Sequence, residues 1–96
     1  TPCLIERNTG KILDTIYKNV EDNSYKTRKQ ILPIVKDVTI TSVEKSSYKI
    51  DKTTYESFEI IVSWEYTEDL GYDDSAKIIM IKEEKKLSIV SYEPIK

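Results

Sequence analysis

The chain has 96 residues, of which 39% are hydrophobic and 33% charged, and its formal net charge is −2. These values fit one compact domain, 1–96, with a modest core, and they argue against a disordered chain. No excess of basic residues supports nucleic-acid binding. The sequence contains no histidine, which excludes the commonest general base and the commonest metal ligand in proteins.

The N-terminus indicates a piece of a longer protein. The chain begins at Thr1, and its one methionine is Met80. We therefore expect any membrane anchor to lie outside it. Cys3, the one cysteine, is interpreted as an incidental thiol in a ragged N-terminus, with a lipidation or pairing site as the alternative.

Two helices are predicted in the first third of the chain. Residues 8–21 carry apolar side chains on one helical face, with Thr9 as the predicted cap, and residues 22–24 are predicted to form a turn. The apolar residues of that face are Ile12, Leu13, Ile16, Tyr17 and Val20. Thr27 and Gln30 have the spacing of a capping box, which predicts a second, short helix limited by Pro33.

Alternating apolar residues predict four strands after Asp37. The first strand breaks phase at Ser42 and Val43, which predicts a bulge, and it is expected to continue through Tyr48 and Ile50. The clearest strand has one large apolar face: Phe58, Ile60, Val62, Trp64 and Tyr66. Two further strands, 76–81 and 87–92, flank a charged turn at 83–86, and Pro94 ends the last one. This order predicts an α+β domain, with one or two N-terminal helices packed on a curved four-stranded antiparallel sheet.

The sequence carries no recognisable catalytic or metal-binding motif, so we expect no catalytic residue, no cofactor and no metal site. Two alternatives remain open. Asp14 could form an acid/base pair with Tyr17 or with a tyrosine of the sheet if the carboxylate were buried. Oxygen ligands in an acidic loop could bind calcium, although their spacing matches no EF-hand: Glu68, Asp69, Asp73 and Asp74.

Charge is distributed unevenly along the chain. Between Lys52 and Lys77 there are seven acids and no base, whereas residues 1–36 hold seven bases and four acids. We predict a protein-binding surface in the acidic interval, formed by Glu65, Tyr66, Glu68, Asp69, Tyr72, Asp73 and Asp74. A second copy is one available partner, in a head-to-tail contact through its Lys26, Arg28 and Lys29. The alternative is a solvated acidic face. Tyr66, Tyr72 and Tyr92 are the tyrosines expected to be exposed.

The pattern of elements resembles the cystatin-like, nuclear-transport-factor-like superfamily. The resemblance is carried by ILPIVKDVTITSVEKSSYKID, FEIIVSWEYTED and AKIIMIKEEKKLSIVSYEP, with Leu87 where members often have tryptophan. Within the superfamily the chain resembles VirB-eight-like and TcpC-like domains of conjugation and type IV secretion machines. This implies a non-catalytic, extracytoplasmic assembly module of the bacterial cell envelope, with protein partners and a membrane association only through an unseen anchor. The alternatives are an accessory N-terminal domain of a penicillin-binding protein or small lipoprotein, and a small isomerase- or dehydratase-like enzyme or ligand-binding domain with a cone-shaped pocket.

Overall fold

A computed structural model describes residues 2–68 and 73–95 of the chain. Three helices precede four strands, which pair antiparallel in the order β1-β2-β3-β4. The elements are α1 (Pro2–Glu6), α2 (Thr9–Ser24), α3 (Arg28–Ile31), β1 (Val35–Ile50), β2 (Thr53–Tyr66), β3 (Ser75–Glu83) and β4 (Lys86–Pro94). The predicted α+β class and the four-stranded antiparallel sheet are thereby confirmed, with one helix more than expected.

The N-terminal region is more ordered than the sequence suggested. Residues 2–6 form α1, and Ile5 is buried in the core, so the prediction of a ragged N-terminus is wrong. The predicted cap of α2 is also wrong. Asn8 occupies the N-cap position without a side-chain capping bond, and the Thr9 hydroxyl instead donates to the carbonyl of Glu6 at 3.1 Å.

The C-terminal end of α2 lies beyond the predicted turn. The helix continues through residues 22–24, where the side chains of Asn23 and Ser24 donate to carbonyls one turn earlier. It ends at Tyr25, which has the left-handed conformation typical of helix termination. The capping box of α3 is confirmed, since Thr27 and Gln30 bond each other's backbone N–H groups. No described helix has the length and hydrophobicity of a membrane span.

The core lies between α2, α3 and one face of the sheet. On β2, the predicted alternation is confirmed: Phe58, Ile60, Val62 and Trp64 are buried, and Tyr66 is half-buried. Their neighbours in the core come from the helices and from β3 and β4: Ile12, Ile16, Val20, Ile31, Ala76, Ile78, Met80 and Leu87. Leu13, which was expected among them, is half-buried outside this cluster.

Two irregularities bend β1 against β2. The pairing register shifts between Ile40 and Ser42, within a residue of the predicted bulge. A second shift, between Lys36 and Thr39, contains Asp37, whose φ of 54° is left-handed. The strand also begins earlier than predicted, at Val35. Bulges of this kind twist a strand, and here they separate the helix-covered half of β1 from its regular outer half, residues 42–50.

Candidate functional site

The predicted binding surface lies at the end of the sheet where β2 finishes. Glu65, Tyr66, Glu68 and Asp74 line one open depression of about 500 Å³, together with Thr67. The structure thus brings together residues that the chain separates by the β2–β3 connection. We call Glu65, Tyr66, Glu68, Asp73 and Asp74 the acidic surface. Asp69 and Tyr72 of the predicted surface lie outside the described residues.

Hydrogen bonds fix the two sides of this depression. The Tyr66 hydroxyl donates to the backbone carbonyl of Asp73 at 2.6 Å, and the Trp64 N–H donates to the carbonyl of Asp74 at 2.9 Å. Both bonds join the end of β2 to the residues that lead into β3. The carboxylates therefore sit on a braced backbone instead of a free loop.

A second tyrosine lies behind the acidic surface. Burial, and after it the neighbouring Tyr66 and Asp73, raise the pKa of Tyr92 to about 12. Tyr66 and Tyr92 are both half-buried, so the expectation that they are exposed is only partly correct. Both side chains pack against the hydrophobic core, so these two tyrosines do not form a protruding aromatic cluster.

The three basic residues of the predicted partner surface are not equally available to a partner. Arg28 is bound within the molecule: it forms ion pairs with Glu21 and with Asp14, the latter at 3.3 Å, and its guanidinium lies 5.2 Å from the centre of the Tyr17 ring. The hydrogen bond that Arg28 donates to the Glu21 carboxylate is the main cause that raises the pKa of Arg28, while burial opposes it. Arg28 therefore stabilises the α2–α3 packing, and a partner would meet Lys26 and Lys29 instead.

Sequence reasoning missed the apolar residues beside those lysines. Tyr25 is 96% exposed and Leu32 is 48% exposed, and both flank α3. Leu32 lies three residues after Lys29, on the same side of one helical turn. The sequence gives no signal for this exposed position, because α2 ends at Tyr25 in the left-handed conformation without the glycine that usually marks such an end.

These two regions of opposite charge are neighbours. The Thr67 N–H donates to the carbonyl of Ile34 at 2.8 Å, so the chain leaving α3 meets the chain leaving β2. The acidic surface and the residues 25–32 consequently lie at the same end of the 42 Å long molecule.

The alternative chemical sites find little support in the geometry. The Asp14 side chain is 76% exposed, whereas a catalytic carboxylate with a raised pKa requires burial. Within residues 2–68 and 73–95, no three side chains converge as a metal site would require.

An apolar groove lies elsewhere, between α2 and the bulged half of β1. It has a volume of about 350 Å³ and is lined by Thr9, Ile12, Leu13, Val38, Thr39 and Ile40. None of these side chains carries a charge.

Comparison with known proteins gives no relative. No protein-family model, no curated protein and no solved structure matches this chain.

Proposed function

We propose that this protein is a non-catalytic binding and assembly module that contacts a protein partner through the acidic surface. The observation that carries the proposal is the convergence of Glu65, Glu68 and Asp74 with Tyr66 in one open depression. Carboxylates at a rim attract a basic partner over a Debye length of about 8 Å at physiological ionic strength. The tyrosine ring adds apolar area that a partner can cover.

A second copy of the chain is the partner that the charges favour. Acidic and basic regions lie side by side at one end of the molecule, joined by the Thr67 to Ile34 hydrogen bond. In a two-fold dimer, the acidic surface of one copy can face Lys26 and Lys29 of the other, and the reverse contact forms at the same time. Exposed Tyr25 and Leu32 supply apolar contact area there. This arrangement closes on itself, unlike the head-to-tail contact that the sequence alone suggested.

The wider assignment rests on the resemblance described above. We propose a cystatin-like or nuclear-transport-factor-like fold and an extracytoplasmic role at the cell envelope, as a component of a conjugation or type IV secretion machine. An accessory domain of a penicillin-binding protein or a small lipoprotein is the alternative. The N-terminal helices followed by a four-stranded antiparallel meander support the resemblance.

Charge reversal tests the acidic surface. We expect Glu65→Lys with Glu68→Lys to weaken self-association, measured by sedimentation velocity over a range of protein and salt concentrations. The effect should be largest at low salt, because exposed charges interact less once ions screen them. Each lost charge contact at a rim contributes about 0.2–1 kcal/mol, and a two-fold dimer of the double variant loses four of them. Self-association should therefore weaken by about fourfold to several hundredfold.

A matched variant distinguishes the effect of where the charges lie from the effect of net charge on self-association. Glu83 and Glu84 are exposed at the opposite end of the sheet, in the β3–β4 turn, and reversing both changes the net charge by the same amount. Self-association that weakens equally in both double variants would reflect net charge alone. Wild-type protein that stays monomeric at low salt would contradict the second copy as partner.

The apolar groove favours a second candidate, the binding of a small apolar ligand. Its volume of about 350 Å³ falls at the lower end of ligand pockets. Two threonines offer hydroxyl groups, and no carboxylate among the described residues lines the groove, which favours ligand binding over acid/base catalysis. Replacing Leu13 with Trp should fill the groove and abolish binding of a fluorescent apolar probe without affecting self-association. Unchanged probe binding would contradict this candidate.

A further inference from the structure

The sheet has two outer strands, β1 and β4, and their free edges differ. On β4, three features block the pairing of another strand. Lys11 donates its ammonium group to the carbonyl of Leu87 at 2.7 Å, the register shifts between Ile79 and Met80, and Pro94 has no N–H to offer. Such devices are how natural sheets prevent edge-to-edge association.

Within residues 2–68 and 73–95, no strand pairs with the edge of β1 over its outer half. The Trp64 N–H bonds the carbonyl of Asp74, which shows that even-numbered residues of β2 bond β3 and odd-numbered residues bond β1. The register from Ser42 to Ile50 is unbroken. The residues of β1 that bond β2 are therefore Glu44, Ser46, Tyr48 and Ile50. The residues whose N–H and C=O groups point away from the sheet are Val43, Lys45, Ser47 and Lys49, which we call the open edge.

The side chains of the open edge lie on one face of the sheet, and two of them give this face a positive charge. Lys45 and Lys49 are both exposed, on the same face as Phe58 and Ile60 of β2. Lys45 lies 3.5 Å from Glu56, an exposed ion pair that contributes little, and among the described residues Lys49 has no ion-pair partner. Val43 adds apolar surface at the inner end, where its side chain is 46% exposed.

The two lysines select what can pair with this edge. If a second copy aligned its own open edge here, four lysines would gather on one face of the joined sheet, and like charges across strands repel. An acidic strand would instead place carboxylates against them. A charged edge therefore rejects its own copy and admits an oppositely charged partner.

We propose that the open edge of β1 binds an extended acidic segment of another protein, which adds to the sheet as a fifth, antiparallel strand. Outward backbone groups supply the ladder of hydrogen bonds, and acids four residues apart lie opposite Lys49 and Lys45, with an apolar residue opposite Val43. This surface lies on the outer half of the sheet, away from the acidic surface, and does not depend on it.

Two capped peptides test the chemistry. We would titrate Glu-Thr-Thr-Thr-Glu-Thr-Val and the same peptide with lysines replacing both glutamates, and follow the backbone amides of the protein by NMR. The acidic peptide should shift the amides of the open edge, and the basic one should not. In Lys45→Glu with Lys49→Glu the preference should reverse. Equal binding of both peptides, or shifts confined to α3, would overturn the proposal.

A proline variant tests the backbone pairing. Ser47→Pro removes an outward N–H without removing a hydrogen bond to β2, whereas Ser47→Ala keeps that N–H. Loss of one hydrogen-bonding position should weaken acidic-peptide binding by about tenfold in the proline variant and leave the alanine variant unchanged. Undisturbed amide signals of Ile60 and Val62 show that the variant is folded. Equal affinity in the two folded variants would overturn strand addition, and an unfolded proline variant would contradict the outward orientation of Ser47.

Discussion

Trp64 lies near the end of the buried row of β2 and is only 3% exposed. Its indole Nε1 is buried, and among the described residues it has no hydrogen-bond acceptor. We expect Trp64→Ala to lower the free energy of unfolding by about 3–5 kcal/mol, because it leaves a large cavity. A small domain has a total stability of about 5–15 kcal/mol, so the variant should be close to unfolding. Urea denaturation followed by circular dichroism measures this.

A second substitution at the same position separates packing from the unpaired donor. Trp64→Phe keeps an aromatic ring in the core and removes the buried N–H, whose desolvation without a partner costs about 1–3 kcal/mol. Its stability should therefore lie much closer to the wild type than to Trp64→Ala. Folded Trp64→Ala protein with an unchanged urea midpoint would contradict the placement of Trp64 in the core.

At the scale of the elements, α2 ends without the residue that usually ends a helix. Tyr25 adopts a φ of 58°, a conformation that costs a residue with a Cβ roughly 1–2 kcal/mol and glycine very little. Its side chain is 96% exposed, so a substitution removes no packing. We expect Tyr25→Gly to raise the free energy of unfolding by about 1 kcal/mol, measured by urea denaturation. Tyr25→Ala, which keeps the Cβ, is the control; equal stability of the two variants would show that the left-handed residue imposes no strain.

Some elements of the fold could be predicted from the sequence and others could not. Strand β2 and the capping box of α3 could be predicted because their signals are local: a strict alternation, and two side chains three residues apart. The ends of α2 could not, because Asn8 gives no capping bond and Tyr25 is not a typical terminating residue. Helix α1 has five residues, too few for a periodic pattern, and it is held by burying Ile5 in the core.

At the scale of the whole molecule, the acidic interval was readable from the sequence, but its geometry was not. The interval places Glu65, Glu68 and Asp74 near one turn, and their convergence follows from the antiparallel pairing of β2 with β3. The acidic surface lies near α3 because the Thr67 N–H donates a hydrogen bond to the carbonyl of Ile34, a contact between distant parts of the chain. The open edge of β1 was equally hidden, since strand order determines which edge is free.

Hydrogen exchange of backbone amides tests this arrangement across the sheet without any partner. The amides of Ile60 and Val62 bond β3 in the buried centre, so they should exchange only when the whole protein unfolds. Residues 45–56 of the β1–β2 hairpin are largely exposed, and the paired amides there should exchange through local opening. In this hairpin the paired amides are Ser46, Tyr48 and Ile50, and the outward ones are Lys45, Ser47 and Lys49.

Protection should therefore alternate along β1 and increase toward the centre of the sheet. With a stability near 5 kcal/mol, the central amides should exchange about a thousandfold or more slowly than the outward ones, measured by NMR after transfer to deuterated water. The paired hairpin amides should lie between these limits. If Ser47 and Lys49 were as protected as Tyr48, another part of the chain or a second copy would have to cover the edge of β1. If all the hairpin amides exchanged equally fast, the outer half of β1 would not be a stable strand, and the edge could not act as a template for another.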